Sequence, residues 1–229
     1  GDDAAVLKKN LKKNSVVSTD MLVEGDHFDL MYTPLLHLGY KSIVVNVSDI
    51  CAMNATPLQV LVSVAIPNKY SVEMVEQLYK GVARACSNYN IDIVGGDTTA
   101  STTGMVISVS ILGEERADKI TRRSGAGPKD LIIVTGNLGS SYLGLQILER
   151  EKAVFTEGST DQPELDQYKY ILERQLKPEA RTDIIKELSG GKILPSSMID
   201  ISDGLSTDLL HISKQSGVGI KLFEDKLPI

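Results

Sequence analysis

The chain has 229 residues, 42% of them hydrophobic and 24% charged, with a net charge of -6 at pH 7. That is enough to bury a core in one large domain or two ordinary ones, and we read two. The acidic balance excludes a nucleic-acid protein, because phosphate backbones are held chiefly by clustered Lys and Arg. The mixed charge signs exclude a disordered tail.

No apolar run reaches the length of a membrane span, and no signal peptide is visible, so a cytoplasmic location without membrane attachment is expected. Cys51 and Cys86 lack metal-like spacing and read as buried reduced thiols. The chain starts without Met, inside a motif, and stops just after a strand-like run. It is expected to be cut at both ends.

Gly1 to Val6 opens with a turn and two acids, followed by a short strand that Lys8 to Asn14 turns back as a hairpin. Lys8, Lys9, Lys12 and Lys13 read as a solvated basic turn. Val16 to Gly25 follows as an extended segment with Ser18, Thr19 and Asp20 embedded between apolar flanks. Such a triplet needs hydrogen bonds or a cation to be tolerated there. Pro34 to Lys41 starts a helix, and Ile43 to Val47 reads as a buried β run that delivers Asp49.

Leu58 to Ile66 is a strand ended by Pro67, and Ser71 caps a helix running to about Tyr89. Its apolar Val72, Val75, Leu78, Val82 and Cys86 recur at helical spacing. Ile91 to Val94 is a short strand entering Gly95-Gly96-Asp97-Thr98-Thr99, and Met105 to Leu112 is another. These strand, helix, strand repeats predict an α+β fold with α/β-like character.

The apolar pattern lapses between Gly113 and Arg123, so the domains are expected at 1–117 and 118–229, the second incomplete. Leu131 to Thr135 reads as a strand entering a glycine turn. Helices follow from about Ser140 to Arg150 and from Pro163 to Leu176, stopped by Pro178. Met198 to Gly204 reads as a strand ending in acids, and Leu205 to Gln215 as a helix closed by Gly217. His211 is expected on the buried side of that helix.

Nucleotide-loop glycine fingerprints and zinc-site spacings are both missing. The acids carry the signal. One Asp where an apolar run stops is ordinarily a cap or turn residue, but this chain has such acids at 2, 3, 20, 49, 97, 200 and 203. Hard divalent cations take oxygen ligands, and Mg²⁺ is typically held by a few carboxylates together with substrate phosphates. Converging acids without paired bases predict a cation site.

Five ordered stretches, Gly1-Asp2-Asp3-Ala4-Ala5, Ser18 to Phe28, Asn46 to Pro57, Gly95-Gly96-Asp97-Thr98-Thr99 and Ile201-Ser202-Asp203-Gly204-Leu205, resemble the thiamine-monophosphate kinases. That family belongs to the wider group containing aminoimidazole ribonucleotide synthetase. The resemblance implies ATP-dependent phosphorylation of thiamine monophosphate to thiamine diphosphate, in a homodimer whose N-terminal sheets pair. By motif it implies that Asp3, Ser18, Thr19, Asp20, Asp49, Asp97, Asp200 and Asp203 hold several Mg²⁺ ions, with Asp49 shared among them.

The same resemblance implies that Gly96, Asp97, Arg123 and Ser202 line the ATP phosphates, that Tyr79 contacts adenine and that His27 touches the thiamine substrate. It assigns catalysis to Asp49, Asp203 and Arg123. The sequence departs from the family at Asn54, where Gly is usual, and at Ala100, where Arg is common. A Gly-Gly-Glu-Asp-type motif of the substrate pocket has no counterpart before Ile229. Two alternatives remain open: another ATP-using member of the superfamily, such as a hydrogenase maturation factor or a selenophosphate synthetase, or a non-catalytic dimeric binding module. Selenophosphate chemistry calls for a reactive Cys near the N-terminus, and none precedes Cys51.

Overall fold

The structure, a computed structural model, describes residues 1–7, 12–157 and 164–229. The expected hairpin turn with Lys8 and Lys9, and the expected helix start at Pro163, lie outside these residues. Among the described residues five strands form one mixed sheet: β1 (Ala5–Leu7), β2 (Lys13–Val23), β3 (Thr56–Pro67), β4 (Asp92–Ser101) and β5 (Val106–Arg116). Their order is β1-β2-β5-β3-β4, antiparallel except for the β3–β4 pair. The parallel pair is joined through α2 (Val72–Tyr89), as a crossover requires.

The long central strands alternate. Val60, Val62 and Val64 on β3, and Ile107, Val109 and Ile111 on β5, turn inward and are buried. They pack against α1 (Leu35–Ala52), which lies on that face of the sheet, with α2 packed against α1 and reaching β4. The two helices approach closely through two glycines. A Cβ on Gly39 would stand 2.0 Å from the Leu78 carbonyl oxygen, and one on Gly81 would stand 2.0 Å from that of Leu36. At both positions only a hydrogen fits.

Helix α2 starts at Ser71, whose hydroxyl accepts from the Met74 amide, and it buries Leu78, Val82 and Cys86. Asn90 ends it in the left-handed conformation. Among the described residues no helix lies over the outer face of the sheet, and Met21, Leu61, Ile93 and Val94 are exposed there or along the β4 edge.

The segment Ile43 to Val47 is helical, in the middle of α1, and not a β run. Its β-branched residues favour strands locally, but the apolar set Ile43, Val47, Ile50 and Val44, Cys51 recurs at helical spacing and is buried throughout. Burial of one helical face against the sheet overrides the local preference.

Beyond β5 the described residues are helical or irregular: α3 (Ser140–Thr156), α4 (Lys169–Leu176), α5 (Thr182–Gly190) and α6 (Leu205–Ser216). Gly217 closes α6 at φ 67°. Leu131 to Thr135 and Met198 to Ile201 are not strands. Neither finds a neighbouring strand among the described residues, and an unpaired strand leaves its backbone groups unsatisfied; Leu131 is accordingly 87% exposed. His211 is exposed and not packed, because the buried side of α6 is formed by Asp208 and Leu209.

Candidate active site

Three carboxylates from distant parts of the chain meet at the C-terminal half of α1. Asp3, Asp49 and Asp200 each offer an oxygen, and these oxygens lie within 4.8 Å of one another. Asp49 projects from the last turn of α1. On that helix Ser42, Asn46 and Asp49 succeed one another at intervals of four and three, a polar stripe through an apolar segment. Asn46 uses it to brace the neighbouring strand: its amide donates to the Ser42 carbonyl at 3.0 Å, and its oxygen accepts from the Asp20 amide at 3.1 Å.

From β2, Ser18 donates to Asp49 and also to the Asp3 carbonyl, the latter at 3.2 Å. From α1, Ser48 donates to Asp200 at 2.7 Å. Arg123 forks onto both oxygens of Asp3, at 3.0 and 2.8 Å, with the Asp3 side chain fully buried. Asp2 holds the arginine's backbone, accepting from the Arg123 amide at 3.1 Å and from the Arg122 guanidinium at 2.6 Å.

The electrostatics arise from burial. Loss of solvent pushes the Asp49 carboxyl up to about 7 against the pull of the Ser18 hydroxyl, with Asp20, Asp200 and Asp3 adding repulsion. Asp200 is likewise pushed up to about 7, first by burial and then by Asp3. Burial also raises Asp20. The Arg123 guanidinium is held above its ordinary value by its bond to Asp3. A cluster of this kind carries more negative charge than one arginine balances, and its hard oxygen donors suit a divalent cation. Asp3 keeps lone pairs free even with Arg123 bound, since an ionised carboxylate has about four acceptor sites.

Not every candidate residue joins the cluster. Asp20 lies on the same face of β2 as Ser18, near enough to Asp49 to repel it. Thr19 points to the other face, where its hydroxyl donates to the Val109 carbonyl at 3.0 Å and lies 3.0 Å from the Ser110 hydroxyl. Its side chain is therefore not in the acid cluster, a consequence of strand alternation.

Asp97 lies on the β4 edge, exposed and opposite Ser63 of β3. Three strand steps separate β4 from β2, about 14 Å, so within one chain Asp97 stands apart from the acids. It lines a separate cleft of about 330 Å³ with Gly95, Gly96, Thr98, Val62 and Tyr79. The cleft floor depends on Gly96, where a Cβ would meet the Val62 carbonyl oxygen at 1.9 Å.

Ser202 and Asp203 are exposed on the loop leading into α6. Asp208 organises that loop, accepting from the Ser202 and Gly204 amides at 3.2 Å each. His27 is exposed on the turn after β2. Ser48, Asn46 and Asp208 were not among the sequence candidates. Read as a helix, the 42–46–49 spacing would have exposed the stripe. Nothing local marks Ser48 as the partner of a residue 152 positions away.

Residues 1–114 match the family model described as AIR synthase related protein, N-terminal domain. The sheet half of the chain therefore defines a protein of the AIR synthase-related class. Over its whole length the chain is 35% identical to the thiamine-monophosphate kinase of Bacillus subtilis and 38% identical to that of Aquifex aeolicus, spanning 68% and 69% of those proteins. A solved structure described as AaThiL complexed with AMPPCP and TMP superposes with a TM-score of 0.86 at 34% identity, over all of this chain and 68% of that one. The chain belongs to the thiamine-monophosphate kinase family, and it is a transferase.

Proposed function

We propose that this enzyme transfers the γ-phosphoryl group of ATP to the phosphate of thiamine monophosphate, forming thiamine diphosphate, by direct in-line displacement. The observation that carries the reading is the meeting of Asp3, Asp49 and Asp200 within 4.8 Å beside Arg123. Support for the nucleotide comes from the relative solved with AMPPCP, an ATP analogue, and TMP.

The residues present fit a hard divalent cation. Asp3, Asp20, Asp49 and Asp200, with the Ser18 hydroxyl, would hold Mg²⁺, and Asp49 is central because it neighbours the other three acids. Bound there, Mg²⁺ would neutralise charge on the transferred phosphoryl group. The Thr19 side chain is directed elsewhere, so only its backbone is available to such a site. Arg123, fixed in its fork by Asp2 and Asp3, presents a cation of set orientation to phosphate oxygens. Gly95 and Gly96 let a phosphate chain approach the backbone of β4, with Asp97 and Tyr79 on the walls of that cleft. Ser202 and Asp203 belong to the same reading as contacts offered by the loop before α6, and His27 as the contact to the thiamine substrate. A substrate phosphate is ionised at neutral pH, so positioning suffices and no general base is needed.

A homodimer is part of the proposal. Leu61 is exposed on the outer sheet face, Ile93 and Val94 are exposed along β4, and β4 is an open edge. A second copy paired there covers this surface and offers its own Asp97 cleft to the acids that one chain leaves distant. We also retain the division into residues 1–117 and 118–229, supported by the end of the sheet at Arg116. A cytoplasmic location rests on the two buried, unpaired thiols of Cys51 and Cys86.

The test is to incubate the intact protein with ATP, Mg²⁺ and thiamine monophosphate and to identify the products by chromatography. Thiamine diphosphate is expected. Inorganic phosphate alone, or free thiamine, would overturn the assignment.

A further inference from the structure

The turn that carries His27 is fastened at its root by one side chain. Glu24 follows directly after β2, and its backbone amide donates to the Met105 carbonyl at 2.9 Å. The Glu24 carboxylate returns the bond, accepting from the Met105 amide at 2.6 Å through Oε2. Oε1 accepts from the Tyr70 hydroxyl at 2.8 Å and from Lys69 Nζ at 3.0 Å. One carboxylate thereby joins the end of β2, the turn between β3 and α2, and the start of β5. These bonds hold the Glu24 carboxyl below the usual range, although burial alone would raise it. With 17% of the side chain exposed, the carboxyl is committed to the clamp.

A tight turn begins directly after Glu24. Gly25 stands at φ 91°, its amide donates to the Phe28 carbonyl at 2.8 Å, and Phe28 is buried in the core. His27 is thus held between two fixed points. Its Nδ1 accepts from the Val23 amide at 3.3 Å. The neutral imidazole then carries its proton on Nε2 and offers a donor to solvent or to a bound molecule.

We propose that Glu24 is a positioning residue for the phosphate-ester substrate: its clamp sets the 24–28 turn so that His27 is presented as an Nε2–H donor to an acceptor on that substrate. This rests on the assignment of His27 as a substrate contact, and the experiment separates the two. In the intact protein, initial rates are measured against thiamine monophosphate and against ATP for Glu24→Ala, His27→Ala and the double variant. The tautomer of His27 is read from its imidazole ¹⁵N shifts.

Glu24→Ala is expected to raise KM for thiamine monophosphate about tenfold, leave KM for ATP within about twofold, and shift His27 toward mixed tautomers. The double variant should match His27→Ala alone, because both act on one contact. Glu24→Gln, which keeps an acceptor for the Met105 amide, should restore most of the affinity and serves as the variant if Glu24→Ala does not fold. An unchanged KM in Glu24→Ala while His27→Ala raises it overturns the role of Glu24. An unchanged KM in His27→Ala overturns the substrate assignment of His27 and with it the basis of the proposal. Equal losses toward both substrates would show that Glu24 is merely structural.

Discussion

Asp49→Asn should stabilise the metal-free protein at alkaline pH while removing its response to magnesium. The wild-type carboxyl is raised from 3.8 to about 7 in the folded chain. The folded state therefore holds a proton that the unfolded chain releases. The stability linked to this group is complete below about pH 4, declines as pH rises toward 7, and is absent above that. A gap of this width corresponds to on the order of 4 kcal/mol, which we discount to about 2 kcal/mol because the carboxyl is only partly withdrawn from water.

For a chain of this length the gain in Tm is about 4–8 °C at pH 8 in a chelator, and close to nothing at pH 4, where the wild-type group is already protonated. Thermal denaturation at the two pH values measures it. Adding Mg²⁺ at a hundredfold excess over its Kd should then stabilise the wild type by about 2.7 kcal/mol at pH 8 and leave the variant unmoved. A variant less stable than wild type at pH 8 without metal, or one that keeps the magnesium increment, would refute the reasoning.

Arg123→Ala leaves Asp3 buried with no counter-charge; it should cost about 3 kcal/mol by denaturant unfolding and abolish turnover, and a loss below about 1 kcal/mol would mean that Asp3 finds another partner. Gly96→Ala forces a Cβ to within 1.9 Å of the Val62 carbonyl oxygen, so β4 must shift; a Tm drop of several degrees and weaker binding of an ATP analogue in calorimetry are expected, and an unchanged Tm contradicts the close approach. Asn54 sits at φ 55° and donates to the Lys119 carbonyl at 2.9 Å. Asn54→Gly should therefore change stability by less than about 1 kcal/mol, the eased backbone offsetting the lost bond, whereas Asn54→Ala should cost about 1–2 kcal/mol in a urea titration.

The backbone also gives the reason for Asn54. The chain adopts a left-handed conformation there, which suits Gly, and Asn is the side chain that tolerates it best. Its amide then ties the end of α1 to the segment after β5.

Local signals were legible wherever a short-range rule acted. Ser71 and the apolar spacing of α2 marked a helix from cap to close, Gly217 marked the end of α6, and alternation marked β3 and β5. The ordered motifs marked the family, since residue type at fixed spacing is itself a property of sequence. Ile43 to Val47 misled because β-branched propensity and helical periodicity disagree there, and only packing on the sheet decides between them.

Which acids meet was decided by tertiary structure alone. Asp3, Asp49 and Asp200 come from the amino terminus, the end of a helix and a loop far along the chain. Thr19 is turned away by one step of strand alternation, and Asp97 stands three strands distant. Sequence sets each residue's chemistry and local backbone preference. Convergence depends on loop closure and burial summed over the whole fold, a non-local balance that no single stretch encodes.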